Sequence, residues 1–166
     1  IDADPAVKPD LLATIPPLPF GDGEVDEVYA GHFLEHLDYE GGKAFLAECY
    51  RVLKPGGKVG IVVPDMREIL TRWLWGMADM LQIPQGHFWP VKDLDAVCHL
   101  FLYGDVNGSR HQWAYDAFTL GRALTRAGFE QLTPIDRYFD PRLGSPAWYQ
   151  CGYSGFKPRK TRGGGN

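Results

Sequence analysis

The stretch from Tyr39 to Val63 constrains the fold more than any other. Phe45, Leu46, Cys49, Val52 and Leu53 fall at i, i+1, i+4, i+7 and i+8, one face of a 3.6-residue period. The pattern predicts a helix over residues 39–53, with Asp38 as its N-cap. Lys54-Pro55-Gly56-Gly57 then stops it sharply. Residues 58–63 follow as a nearly continuous apolar run. A strand apolar on both faces must be covered on both, which is the condition of a strand inside a parallel sheet.

The rest of the chain supplies partners for that unit. Residues 25–30 alternate and read as a strand, and the short apolar run 10–14 reads as another. Pro16, Pro17 and Pro19 forbid regular structure between them. The opening Ile1-Asp2-Ala3-Asp4-Pro5 reads as a strand end entering a turn. Asp65 with Glu68 forms a capping-box pattern, and the helix it opens is expected to reach about Leu81. Residues 82–115 are irregular and rich in aromatics, the mark of a functional insertion or lid. Asp116 caps a further helix bearing Leu120, Ala123, Leu124 and Ala127 on one face, and Gly128 ends it. Two last strands are expected at 130–137 and 148–156. The roughly ten residues that join them are too few for a helical crossover, so the pair is antiparallel. The prediction is an α/β domain over residues 1–156, with a mostly parallel sheet and an antiparallel last strand. A basic, then Gly-rich, disordered tail is expected over 157–166.

Composition narrows the classes. A chain of 166 residues fits one domain. A net charge of −4 speaks against broad nucleic-acid binding. The sequence has no apolar run of the length a membrane span needs, and no signal peptide is visible. Cys49, Cys98 and Cys151 are dispersed and unpaired in sequence, which predicts reduced thiols and a cytoplasmic location.

Four segments carry a resemblance. They are Leu18-Pro19-Phe20 with the turn and strand after it, Leu34-Glu35-His36, Arg51-Val52-Leu53-Lys54-Pro55-Gly56-Gly57, and Ala127-Gly128-Phe129. In this order and spacing they resemble the class I S-adenosylmethionine (SAM) dependent methyltransferases. The resemblance implies a Rossmann-like sheet of order 3-2-1-4-5-7-6, with SAM across the carboxyl ends of its strands. It implies that Asp2 binds the ribose hydroxyls, that Thr14 accepts from the adenine amino group, and that Ile15 packs on adenine. Ala30, Gly31 and His32 would border the methionine part. The family's Gly-rich turn precedes the acidic residue matched by Asp2, and here only Ile1 stands before it. The expectation is an N-terminally truncated domain that binds SAM weakly or not at all. With the central first strand missing, residues 1–20 should be displaced from the sheet. The strand at 25–30 becomes an edge, open to a second copy in a homodimer.

The chemistry-bearing residues cluster after that strand. His36 and His32 are candidate acid/base groups near the transferred methyl, with His111 as another; His36 as a packing residue is the alternative. His32-Phe33-Leu34-Glu35-His36 also matches H-x-x-E-H, which on one helix binds zinc. Here it begins directly after a strand, and no metal is expected. Trp73, Trp75, Phe88, Trp89 and Trp113 form either an acceptor pocket or a packed helix and lid. The Asn/Asp-Pro-Pro-aromatic turn of base-amino methylation is replaced by Ala30-Gly31-His32-Phe33, and no cysteine follows a proline, as in cytosine methylation. What remains is a small-molecule or glycan-like hydroxyl or amine acceptor, with neither nucleic acid nor membrane as partner. The alternative is a degenerate, non-catalytic binding or structural module.

Overall fold

A computed structural model describes residues 1, 5–75, 81–82, 88–89, 110–135, 139–140, 145–146 and 148–159. The elements in chain order are β1 (Val25–Gly31), α1 (Tyr39–Val52), β2 (Leu53–Pro64), α2 (Met66–Leu74), β3 (Leu81–Gln82), β4 (Phe88–Trp89), α3 (Ala117–Arg126), β5 (Glu130–Pro134), β6 (Phe139–Asp140), β7 (Ser145–Pro146) and β8 (Gln150–Phe156). The main sheet has the order β1-β2-β8-β5. β1 pairs parallel to β2, while β8 is antiparallel to both β2 and β5. Three strands therefore run one way and β8 the other, the 4-5-7-6 part of the expected order. β3 with β4 and β6 with β7 form two short antiparallel ladders.

β2 is the central strand, and its sequence shows why. Val59, Ile61, Val62 and Val63 are all fully buried. Side chains alternate along a strand, and Val59, Ile61 and Val63 meet Phe45, Leu46, Cys49 and Val52 of α1 and Leu120 and Leu124 of α3 in one cluster. Each such side chain contributes roughly 1.5–3 kcal/mol of burial. Val62 points the other way, and Ile69 of α2 is buried outside that cluster as well.

Local chemistry sets the helix ends. The Asp38 carboxylate accepts from the Gly41 N–H at 2.7 Å and starts α1. At the other end, Cys49 O accepts from Leu53 N–H, Arg51 O from Gly23 N–H at 3.0 Å, and Tyr50 O from the Lys157 ammonium at 2.7 Å. The orphan carbonyls of that last turn are thus satisfied from three parts of the chain. The Lys-Pro-Gly-Gly turn does more than stop the helix. Val25 pairs with Leu53 and Glu27 with Lys58, so residues 54–57 bulge opposite Asp26 alone. Gly56 takes φ +84°, and a Cβ on Gly57 would lie 2.9 Å from Lys54 O and 3.0 Å from Asp26 O. α3 has a full capping box: Thr119 N–H donates to the Asp116 carboxylate at 2.7 Å and Asp116 N–H to the Thr119 hydroxyl at 2.9 Å.

Several expectations change. Residues 10–14 form no strand of the main sheet, and Leu11 and Leu12 are exposed. Among the described residues the sheet ends at β1, and no ladder joins residues 10–14 to that edge. The displacement expected for residues 1–20 is seen only in part, because Leu18 is buried and its stretch is clamped onto α1. Arg51 donates to the carbonyls of Phe20 at 2.9 Å and Leu18 at 3.2 Å, and Leu18 N–H donates to Glu48 at 2.9 Å. α2 stops at Leu74 instead of near Leu81, where Gly76 follows. Its cap is half a box: Asp65 accepts from Glu68 N–H at 3.1 Å, but the Glu68 carboxylate turns to Arg72 at 2.6 Å. Lys157 to Arg159 lie against the sheet end, Lys157 N–H donating to Gly57 O at 2.9 Å. Residues 160–166 lie outside the described residues.

Candidate active site at the carboxyl end of the sheet

β1 ends at Gly31 and β2 at Pro64; Gln150, at the start of the antiparallel β8, pairs with Pro64. Three strand ends therefore meet at one rim. The ladder continues one residue past β1, with His32 N–H donating to Val62 O at 2.9 Å, and His32 then turns the chain at φ +54°. A non-glycine residue held in the left-handed region is a feature that functional sites retain at a cost. The turn delivers a single 3-10 turn, Leu34–His36, and not the helix that H-x-x-E-H zinc binding presupposes.

Glu35 is the one buried charged side chain among the described residues, 2% exposed. Its Oε1 accepts from His32 Nδ1–H at 3.1 Å. The carboxylate has no proton to give, so the imidazole donates there. His32 Nε2 then accepts from the Gln150 side-chain amide, so both ring nitrogens are engaged. Glu35 Oε2 and Gln150 Oε1 are buried with no hydrogen-bond partner among the described residues. His36 Nδ1–H donates to Arg110 O at 3.3 Å, and the His36 and His111 rings meet edge to face at 4.7 Å.

The end of the aromatic stretch lies over this cluster. Gln112 N–H and Trp113 N–H both donate to Glu35 O, at 2.7 and 3.1 Å, and the Gln112 amide donates to His36 O at 2.7 Å. Tyr115 forms a parallel bridge with Asp65, just past the end of β2. Burial, with Glu35 and Tyr39 adding to it, pushes the Tyr115 hydroxyl up to about 12. Burial likewise raises the Asp65 carboxyl above its usual range, against the hydrogen bonds from Glu68 and Arg67. A small pocket of about 10 Å³ between Glu35 and His111 is floored by Met66 and Ile69, room for about one water.

The sequence-predicted residues separate into groups. His32, His36 and His111 come together around Glu35. Ala30 is buried under the rim, and Gly31 puts no side chain on it. Ile15 is half-buried against the core, and Thr14 is exposed. Asp2 and Cys98 lie outside the described residues, as do the side chains of Phe88 and Trp89. Trp75 is 76% exposed at the end of α2, and the Trp113 ring meets Tyr39 at a tilt, centroids 5.0 Å apart. Gln150 and Gln112 were not expected at the site. Their signal is topological, since only the β2–β8 register and the return of the long insertion bring them here.

Residues 4–61 match the family described as a methyltransferase domain. The matched span takes in the Leu-Pro-Phe segment, β1, Leu34-Glu35-His36, α1 and the Lys-Pro-Gly-Gly turn and ends in β2. The match covers 58 of the 166 residues, and over that span the chain is similar to methyltransferase domains. Solved methyltransferase structures share its fold. A Haloferax volcanii complex between the Trm112 methyltransferase activator and a methyltransferase is 16% identical over 90% of this chain and 61% of that one, with a TM-score of 0.52. A SAM-dependent methyltransferase from Methanosarcina mazei is 17% identical over 86% of this chain and 64% of that one, at 0.50. An O-methyltransferase family protein from Burkholderia thailandensis is 13% identical over 84% of this chain and 32% of that one, at 0.51. At these identities the likeness is one of fold, and the chain spans less than two thirds of the length of each. No curated protein matches the chain by sequence. Among the described residues, no helix is long and apolar enough to cross a membrane.

Proposed function

We propose that this domain serves a SAM-dependent methyltransferase whose acceptor is a hydroxyl or amine on a small molecule or glycan. The observation that carries the reading is the polar cluster at the rim: His32, Glu35, His36 and His111 gathered where three strand ends meet, the place where open α/β sheets bind ligands.

The residues present suit the cofactor at the adenine end. Ile15 offers an apolar face beside the core, Thr14 an exposed hydroxyl, and Ala30-Gly31 a strand end of small residues with the Tyr29 ring lying against Gly31. Asp2 is assigned the ribose hydroxyls, because a carboxylate accepts two hydrogen bonds at once. SAM, when bound, supplies a methyl group already activated by a positive sulfur. The chain's task is to align the acceptor and, for a hydroxyl, to remove its proton. His36 suits the meeting point. Its Nδ1–H is committed to the Arg110 carbonyl, so the ring's lone pair sits on Nε2, next to His111. His32 is held at both nitrogens by Glu35 and Gln150 and serves to position Glu35. Gln112 fastens the overlying segment to the backbone of the same turn.

The test uses the protein with every residue that its coding sequence supplies. Calorimetry measures SAM binding, and methyl-labelled SAM is offered with panels of hydroxylated and aminated glycans and small molecules. Label transfer to one panel is expected. His36→Ala should lower it by about 10²–10⁴-fold with SAM affinity unchanged, the usual worth of a positioned acid/base group. Failure of that protein to bind SAM would overturn the reading.

A further inference from the structure

We propose that Glu35, His36 and His111 form a binding site for a divalent first-row transition-metal ion. The three side chains each present a ligand atom, and those atoms all lie within 4.8 Å of one another. Around an ion bound at roughly 2.1 Å, ligand atoms stand roughly 3–3.5 Å apart, so small side-chain movements close the set. Two imidazoles and one carboxylate suit zinc, iron or manganese, and a three-ligand set leaves positions open.

Two further observations point to a cation. The first is the carboxylate: Glu35 is 2% exposed, and its Oε2 has no hydrogen-bond partner among the described residues. Leaving a buried acceptor unsatisfied is costly, and a cation is the ligand that repays a buried negative charge most directly. The second is the surrounding hydrogen bonding. Metal-binding histidines usually give their other ring N–H to a backbone carbonyl, and ligating carboxylates are themselves hydrogen-bonded. His36 Nδ1–H donates to Arg110 O at 3.3 Å, which puts the lone pair on Nε2. Glu35 Oε1 accepts from His32 Nδ1–H at 3.1 Å, and His32 is fixed in turn by Gln150. The water-sized pocket is lined by two of the three ligand residues, Glu35 and His111.

Binding of the ion needs nothing from the methyl-transfer reading; the role given to the ion rests on it. With the ion in place, the Nε2 lone pair of His36 is a ligand and no longer a base, His111 ligates beside it, and an acceptor hydroxyl occupies an open position. The ion lowers the hydroxyl's pKa, and its proton leaves to water. The oxygen then forms its bond to the methyl carbon as the carbon–sulfur bond breaks, the electron pair staying on sulfur to give S-adenosylhomocysteine.

The test is metal binding without SAM. Tag-free protein is stripped with a chelator, freed of it, and titrated with Zn²⁺ and separately with Mn²⁺. Calorimetry follows both, and the loss of the free Mn²⁺ paramagnetic resonance signal follows the second. One saturable site per chain is expected, together with a metal-dependent rise in melting temperature. His111→Ala and His36→Ala, both at partly exposed positions, should keep the metal-free melting temperature and weaken binding by more than about tenfold. Glu35→Gln should weaken it as well. Absence of a saturable site in the unaltered protein, or unchanged affinity in His111→Ala with its fold intact, overturns the proposal. Either result leaves SAM binding to be judged by its own assay.

Discussion

Lys157→Met tests whether the C-terminal segment closes helix α1. The ammonium donates to Tyr50 O at 2.7 Å and Leu53 O at 2.7 Å, with Arg51 O farther off at 3.4 Å and already served by Gly23. Methionine keeps most of the apolar stem and removes the donors and the charge. Two charge-assisted hydrogen bonds, at roughly 1.5–3 kcal/mol each when removal leaves the partner buried, set an upper bound of about 6 kcal/mol. Lys157 is only half-buried, so water reaches part of the site and screening reduces the figure. The helix-end charge effect adds about 0.3–1 kcal/mol. The expected loss is about 2 kcal/mol. In urea, with a slope of about 2 kcal/mol/M for a domain of this size, the midpoint should fall by about 1 M with the slope unchanged. A midpoint within about 0.2 M of the unaltered protein would refute the reasoning, because water would then be satisfying those carbonyls equally well.

Other outcomes follow from the same contacts. Gly57→Ala drives a methyl to 2.9 Å from Lys54 O and 3.0 Å from Asp26 O, both backbone atoms, and should cost about 1–3 kcal/mol in denaturant unfolding. Arg51, opposed by burial and joined by the Leu18 N–H, holds the Glu48 carboxyl below its usual range. Burial pushes Asp116 up, but Thr119 and Arg67 outweigh it and leave that carboxyl low too. A lowered folded-state pKa contributes stability above the unfolded value of about 4 and loses it as pH falls through the folded value. Glu48→Gln should therefore flatten the loss of stability below about pH 4, and an unchanged acid limb would remove Glu48 from that balance. Light scattering should show the 166-residue chain self-associating as its concentration rises, through the exposed β1 edge. Tyr29→Lys, at a position 51% exposed on that strand, should reverse it, and a chain monomeric throughout would show the edge to be inert.

What could be read in the sequence was what period and punctuation encode. The helix face of Phe45, Cys49 and Val52, the apolar run of β2 and the Asp116 cap each follow from neighbours in the chain; the helix and the cap stand within a residue or two of their expected places, while β2 contains residues 58–63 but begins five residues earlier, at Leu53. Residues 10–14 look like a strand because apolarity is local, whereas a strand exists only beside another strand. The Glu48–Arg51 clamp was hidden for the same reason, as it joins residues about thirty apart. At the site, the motif H-x-x-E-H put His32, Glu35 and His36 in view, but on the wrong local geometry. A helix would have set both histidines on one face, whereas the left-handed turn at His32 points it to Glu35 and Gln150. His111 meets His36 only because the long insertion returns over the strand ends.

The two ends of β2 are built to different standards. At its amino end the carbonyls of Cys49, Tyr50 and Arg51 in the last α1 turn each have a donor, and the Lys-Pro-Gly-Gly bulge is packed to backbone contact. At its carboxyl end stand the two buried polar atoms left without partners among the described residues, Glu35 Oε2 and Gln150 Oε1. The raised carboxyl of Asp65 is there too. A fold selected only for stability would remove such costs, since each unmet buried group is worth roughly 1–3 kcal/mol. Their concentration at one rim, and on the rim where open α/β sheets bind ligands, argues that the polar groups there are kept for what binds them. The amino end holds the domain together so that the carboxyl end can carry groups still in want of a partner.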